Sequence, residues 1–140
     1  MASGNWEAVI GLEIHAQLET ESKIFSPDSA RFGGGDNEHV HPISLGMPGT
    51  LPVPNARAIE IGVKIGLALG CEINRRSVFS RKNYFYPDLA KGYQISQFDE
   101  PLCRNGELAF FVGEQLHRVK VVRAHLEEDA GKSIHLGDAT

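Results

Sequence analysis

The chain is poor in cysteine, in long apolar runs and in net positive charge, and each shortage removes a class of function. Only Cys71 and Cys103 are present among 140 residues, and their spacing matches no metal-ligand pattern. Such cysteines read as reduced thiols of a protein of the cytoplasm or an organelle matrix. No apolar run reaches the roughly 18 residues of a membrane-spanning helix, so no membrane role is expected. The opening residues Met1-Ala2-Ser3-Gly4-Asn5 carry neither a basic region nor an apolar segment, and no secretory signal is expected there. A net charge of −4 argues against general coating of nucleic acid, although a local basic patch stays compatible with it. Repeats and low-complexity tracts are absent. So is a phosphate loop. Asp129-Ala130-Gly131-Lys132-Ser133 ends correctly for one, but the motif G-x-x-x-x-G-K-[ST] requires glycine at position 126, where Leu126 stands. Any ATP site is then built elsewhere.

What is present begins with an alternation. Trp6, Ala8, Ile10, Leu12, Ile14, Ala16 and Leu18 are all apolar, and the residues between them include Glu7, Glu13, His15, Gln17 and Glu19. Period-two patterning predicts a strand over residues 6–19 with one buried face. Glu13, His15 and Gln17 then stand in a row on the other face, their roots about 6.6 Å apart, close enough to converge on a small cation. A solvated polar face is the second reading of the same row. Residues 26–54, rich in Gly and Pro, predict long loops with short extended pieces, and Gly33-Gly34-Gly35 a turn. Residues 55–70 predict a helix, with Asn55 as N-cap and Gly70 as the stop. Arg57, Glu60 and Lys64 form its one polar stripe, so the helix is expected to be buried against a sheet, with Gly62 and Gly66 allowing close approach to a strand. Residues 77–86 and 93–98 read as extended, with a turn at Pro87-Asp88, and 108–112 with 117–126 as a hairpin about Gly113-Glu114. The fold class expected is α+β in one domain, a largely antiparallel sheet with one long buried helix.

Two further clusters bear chemistry. His125-Leu126-Glu127-Glu128-Asp129 places three acids in succession, whose repulsion calls for a positive neighbour. A divalent cation is one solution, and Arg123 with Lys132 is another. In a regular strand Glu127 and Glu128 point to opposite faces, so both reach one ion only through a bulge or turn. Shared with Glu13 and His15, such a ligand set of oxygens and one imidazole suits magnesium or manganese better than zinc. The stretch from Arg81 to Gln94 holds Arg81, Lys82 and Lys91 together with all three tyrosines, Tyr84, Tyr86 and Tyr93. Cations interleaved with rings suit phosphates, ribose and bases. Tyrosines packed at a rim are the alternative.

Gly11-Leu12-Glu13-Ile14-His15, Leu45-Gly46-Met47-Pro48-Gly49-Thr50-Leu51-Pro52-Val53, Arg81-Lys82-Asn83-Tyr84-Phe85-Tyr86-Pro87-Asp88, Gly92-Tyr93-Gln94-Ile95-Ser96-Gln97 and His125-Leu126-Glu127-Glu128-Asp129-Ala130-Gly131-Lys132 occur in that order. Together they resemble the B subunit of the tRNA-dependent amidotransferase family across nearly the whole chain. That subunit is much longer, so residues 1–140 resemble only the N-terminal part of its catalytic domain, without the helical, tRNA-contacting regions. The chain stops at Gly137-Asp138-Ala139-Thr140 with no closing element after the acidic motif, and a longer reading frame is expected.

The resemblance implies a fold similar to glutamine synthetase and the guanido kinases. It implies an ATP-dependent ligase that phosphorylates the side-chain carboxylate of glutamyl-tRNA(Gln) or aspartyl-tRNA(Asn) and amidates it with ammonia. It implies a glutaminase A subunit as ammonia source, a small bracing C subunit, a misacylated tRNA, and ATP with magnesium. By resemblance, Glu13, His15, Glu127 and Glu128 bind metal. Glu13, His15, Lys82 and Lys91 take catalytic positions, and Arg81, Asn83, Tyr84 and Tyr86 line the nucleotide and substrate pocket. Two departures stand out. Ala90 replaces the proline usual before Lys91, and Ser26, Asp28 and Ser29 stand where some relatives carry zinc-binding cysteines, so no zinc is expected. A metal-dependent hydrolase acting through Glu13, His15 and Glu127, and a non-catalytic piece that binds tRNA or a partner, are the competing readings.

Overall fold

The computed structural model describes residues 6–86 and 89–129. Its elements are α1 (Pro42–Leu45), α2 (Ala56–Ala68), β1 (Glu72–Ile73), β2 (Ser80–Asn83), β3 (Tyr93–Ser96), β4 (Cys103–Val112) and β5 (Gln115–Ala124). The chain is α+β with two small antiparallel sheets, one ordered β1-β4-β5 and one pairing β2 with β3.

The helix forms where its punctuation places it. Asn55 accepts a hydrogen bond from the Arg57 amide at 2.9 Å, which satisfies one of the donors a helix start leaves open. At the other end Gly70 takes φ +65. Cys71 N–H bonds Gly66 O at 2.9 Å and Gly70 N–H bonds Leu67 O at 3.0 Å, a Schellman closure that a side chain at Gly70 would strain. On the exposed stripe Glu60 accepts from both Lys64 and Arg57 at 2.6 Å.

Burial of α2 is narrower than the apolar pattern predicts. Only Ala58, Gly62 and Gly66 are buried, while Leu67 is 61% exposed. The reason is the size of the sheet. One of its three strands is two residues long, so it covers one side of the helix and no more. The glycines provide the contact. A Cβ on Gly62 would lie 2.8 Å from Leu102 Cδ2, and one on Gly66 would run into Cys103 Sγ. Around this seam sits the core of Cys71, Leu102, Cys103 and Leu126, joined by Leu18, Ile24, Ile59, Val63 and Phe79. Burial pushes both thiols upward in pKa, which keeps them protonated and inert.

The hairpin turns where expected, with Gly113 at φ +62 as the first residue of a two-residue primed turn. Its strands begin earlier than the pattern predicts, at Cys103. Gly106 lets β4 pass close to the end of α2, because a Cβ there would lie 2.6 Å from Leu69 O. The hairpin outruns α2, and Leu108, Phe110, Val112 and Val119 are 40–60% exposed. Among the described residues β5 has no second neighbour.

The strand expected over residues 6–19 is not formed. This segment pairs with nothing among the described residues, and Trp6, Ile10, Leu12 and Ile14 are each at least 80% exposed. Alternation decides which side of a strand is apolar, but a ladder also requires a partner. The loops of 26–54 contain one unexpected helical turn, α1, capped by His41 and closed by Gly46 at φ 67. The turn expected at Pro87-Asp88 lies outside the described residues.

Candidate functional site

Strand β3 gathers the site. On one side it pairs with β2, in the register Arg81↔Ile95, Lys82↔Gln94 and Asn83↔Tyr93. On the other it holds the acidic segment. Glu128 N–H donates to Ile95 O at 2.8 Å, Ile95 N–H donates to a Glu128 carboxylate oxygen at 3.2 Å, and Gln94 Nε2 donates to Glu128 O at 2.6 Å. Three motifs far apart in sequence thus lie side by side.

The two adjacent glutamates occupy different surroundings. Glu128 pairs with the ammonium of Lys91, whose side chain is 3% exposed. A charge so buried needs a partner, and Lys91 supplies the positive neighbour that the acidic run calls for. Its Nζ also lies 4.9 Å from the centre of the Tyr93 ring, and the Arg81 guanidinium stands 4.8 Å from the same ring. The loop after α1 presses on Lys91, since a Cβ at Gly46 would meet Lys91 Cβ at 2.5 Å. Lys91 is thus held in place despite Ala90 before it. Arg123 does not neutralise the acids. It donates to Phe98 O at 3.2 Å and covers the Phe98 ring. Lys132 lies outside the described residues.

Glu127 turns elsewhere. Ser96 Oγ donates to its Oε2 at 3.1 Å, His125 Nε2 stands 3.5 Å from the same oxygen, and His15 Nδ1 is 3.6 Å from Oε1. His15 Nε2 is 3.4 Å from Glu13 Oε1. The N-terminal segment, though it forms no ladder, meets the acidic segment through His15. Gln17 is exposed and takes no part in these contacts.

Among the described residues no three His, Cys, Asp or Glu side chains form a group able to hold a metal ion. The geometry explains why. His15 directs one ring nitrogen to Glu13 and the other to Glu127, and both oxygens of Glu128 are engaged by Lys91 and Ile95. The donors have the chemistry of a magnesium site but do not fit one ion in this arrangement. Glu13, His15 and Glu127 would have to turn toward a common point.

The remaining residues of the expected pocket sit on or just after β2. Arg81, Lys82 and Asn83 are exposed, and strand alternation puts Lys82 on the opposite face from Arg81. Tyr84 and Tyr86 meet edge to face with centroids 5.5 Å apart. Two clefts, of about 350 and 220 Å³, lie elsewhere, lined respectively by Glu19–Ser22 with Asn55 and Arg57, and by Arg76, Val78, Ser80, Asp99 and Glu100. We weigh the side-chain cluster above either cleft, because neither offers convergent cations for a phosphate-bearing substrate.

Sequence reasoning assigned no role to Gln94, Ser96 or Gln97, which hold the acidic segment against β3. Their signals were membership of a polar, strand-like run and of the motif at residues 92–97 that carries part of the family resemblance. It also missed Asp28, which is 9% exposed and accepts from Ser44 Oγ at 2.5 Å and Ser26 Oγ at 3.0 Å. Burial raises the pKa of Asp28, but the bonds from Ser44, the His41 amide and Ser26, with the charge of Lys23, outweigh it and hold the carboxyl below its ordinary value.

Comparison with known proteins places these segments in a family. The model of the GatB/GatE catalytic domain matches residues 8–140. The chain is 60% identical over 140 residues to the B subunit of the aspartyl/glutamyl-tRNA(Asn/Gln) amidotransferase of Bdellovibrio bacteriovorus. It is 59% identical over 131 residues to the protein of that name from Bordetella petrii, and 56% identical over 131 residues to that from Nitratidesulfovibrio vulgaris. It covers 29%, 27% and 28% of those proteins, while 100%, 94% and 94% of the chain is aligned. With the match running through every segment of the β3-centred cluster, the chain belongs to the GatB/GatE catalytic-domain family.

Proposed function

We propose that this chain is the N-terminal part of a catalytic subunit of a tRNA-dependent amidotransferase, a ligase active as the full-length subunit in its complex. The reading combines the family membership with one structural observation. A buried Lys91–Glu128 pair, the Glu127–His15 contact and the Arg81/Tyr93 face all converge on β3.

The chemistry asked of such a site has two steps. A carboxylate is a poor acyl donor. One of its oxygens attacks the γ-phosphorus of ATP, the bond to the β-phosphate oxygen breaks, and ADP leaves. Ammonia then attacks the acyl carbon, loses a proton, and inorganic phosphate departs with the bonding pair. Catalysis of the first step is mostly positioning and neutralisation of phosphoryl charge. Arg81 supplies exposed positive charge for phosphates on the Tyr93 face and Lys82 supplies it on the opposite face of β2, while Asn83, Tyr84 and Tyr86 supply a polar and aromatic wall. Lys91 and Glu128 hold the floor beneath Tyr93. Magnesium belongs to this reading as the companion of the ATP phosphates, with Glu13, His15 and Glu127 as its protein donors after they reorient. A glutaminase subunit as ammonia source, a small bracing subunit, glutamyl-tRNA(Gln) or aspartyl-tRNA(Asn) as substrate, and the cytoplasm or an organelle matrix as setting complete the proposal. A resemblance in fold to glutamine synthetase and the guanido kinases is part of it. No helix among the described residues is long and apolar enough to cross a membrane.

The test is phosphate release from ATP by the full-length subunit with its partners, with and without glutamyl-tRNA(Gln) or aspartyl-tRNA(Asn). Release that depends on misacylated tRNA and yields amidated tRNA is the expected result. Metal-dependent hydrolysis that ignores ATP would point to a hydrolase. Binding of tRNA that survives Glu13→Ala with His15→Ala, without turnover in the parent, would leave a binding module.

A further inference from the structure

Gln97 is 2% exposed, one of the two largest fully buried side chains among the described residues. An amide in that position must justify its polarity, because leucine would pack there without a hydrogen-bonding demand. Its Oε1 accepts from Leu102 N–H at 3.1 Å and from Leu126 N–H at 3.0 Å. Two lone pairs meet two donors, and only an acceptor can face both, which fixes the orientation of the amide. Its Nε2 is buried and has no hydrogen-bond partner among the described residues. The amide is thus oriented by its oxygen, which answers two backbone donors at once.

The two amides it holds are informative. Leu102 immediately precedes β4, and Leu126 immediately precedes Glu127. One oxygen thus joins the end of β3, the start of the long hairpin and the start of the acidic segment. Leu126 is further fixed by its side chain, which packs against Gly62 of α2. Beyond it, Ser96 holds the Glu127 carboxylate and Ile95 holds both the amide and the carboxylate of Glu128.

We infer that Gln97 is a positioning residue: its carboxamide oxygen sets the backbone at Leu126 so that Glu127 faces His15 while Glu128 faces Lys91. Gln97 touches no substrate, being sealed from solvent, and acts through the two glutamates. The inference rests on the proposed amidotransferase reading only for its kinetic consequence. The clasp itself can be measured without turnover.

The test uses the full-length subunit in its complex. Gln97→Met removes the acceptor at nearly constant volume, Gln97→Glu keeps an acceptor while its buried carboxyl is protonated, and Ile59→Ala loosens the same core from the side of α2 without removing either hydrogen bond. For Gln97→Met, hydrogen-exchange protection at Leu102 and Leu126 is expected to fall about tenfold, the loss of roughly one hydrogen bond at each amide. Its kcat for amidation is expected to fall about ten- to a hundredfold with KM for ATP within about threefold, the pattern of lost transition-state alignment. In Gln97→Glu, protection at both amides is expected to recover toward the parental level as pH falls and the buried carboxyl becomes neutral. Ile59→Ala is expected to lower the unfolding midpoint while leaving kcat of the folded protein unchanged. A folded Gln97→Met with parental kcat, a kcat loss in Ile59→Ala equal to that in Gln97→Met, or a folded Gln97→Glu that gains no protection as pH falls would each overturn the inference. Should Gln97→Met fail to fold, Gln97→Glu decides alone: protection at Leu102 and Leu126 that recovers as pH falls supports the clasp, and a folded protein whose protection is lost at every pH overturns it. If the parent complex amidates no tRNA, the amidotransferase reading fails, and unchanged exchange at Leu126 in Gln97→Met would sink the clasp separately.

Discussion

Replacing Gly66 by alanine sets two known effects against each other and lets the helix–sheet seam be tested. In an isolated helix the change helps by about 1 kcal/mol, because glycine loses more backbone freedom on ordering. At this position the added methyl runs into Cys103 Sγ and lies 3.0 Å from Ile73 Cδ1 and 3.1 Å from Cys103 Cβ. Cys103 is wholly buried and cannot swing away. Overpacking of a core costs about 1–3 kcal/mol, and contact this deep belongs at the upper end. The expected balance is a net loss of about 1–2 kcal/mol, which raises the population of opened molecules about 5- to 30-fold. Labelling of Cys71 by a thiol reagent across a urea series, read by mass spectrometry, measures that opening, since Cys71 is buried in the same cluster. The double variant Gly66→Ala/Cys103→Ala should recover part of the loss, with a coupling of about 1 kcal/mol or more between contacting sites. Gly11→Ala, where no atom lies within 4 Å, serves as the control. A neutral or stabilising Gly66→Ala, or strictly additive effects in the double variant, would refute the claim that α2 docks through its glycines.

Asp28→Ala should destabilise the loop around α1 by about 1–2 kcal/mol, because it removes the shared acceptor of the Ser26 and Ser44 hydroxyls and leaves them only each other; local hydrogen exchange checks this. The carboxyl's folded pKa lies below its ordinary value. Its stabilising contribution is therefore present above the unfolded pKa and is lost as pH falls through the lower folded one, which acid unfolding of parent and variant should reveal. Glu60 is held down to about 2, first by the bond from Lys64 and then by Arg57. Lys64→Ala should move that pKa back toward 4.5 in an NMR titration, and an unmoved value would refute the pairing. Lys91→Met should cost about 3 kcal/mol by leaving Glu128 without its buried partner, whereas Lys91→Met with Glu128→Leu should cost less, as read by the same thiol-labelling series. Manganese titrated into the full-length protein should bind through Glu13, His15 and Glu127. Undiminished binding in Glu127→Gln would remove that assignment.

Local rules made part of this fold readable. Asn55 and Gly70 bound the helix because each answers a specific need of a helix terminus, and Gly113 marks the hairpin because only a positive φ closes that turn. Gly62 and Gly66 announced a close approach by lacking what would prevent it. The apolar pattern overstated burial, because periodicity ranks the faces of an element but does not say how many neighbours will cover them. Residues 6–19 show the same limit more sharply: the faces are defined and the pairing partner is not. The motifs indicated which residues belong together around β3. Alternation already set Glu127 and Glu128 on opposite faces, but it could not indicate what each would meet, because that depends on Lys91 lying 37 positions earlier in the chain and meeting one of them. Gln97 and Asp28 were silent for a related reason. A buried polar residue has the same one-letter code as a surface one, and its partners are contributed by distant backbone.

Among the described residues the outer edge of β5 pairs with nothing, and that has a practical consequence. A row of unpaired backbone groups invites another chain to add itself as a strand, and Lys120 and Arg123 spaced along β5 repel a second copy of the same edge. Charge-removing changes at those positions would then show their harm as turbid preparations and self-association.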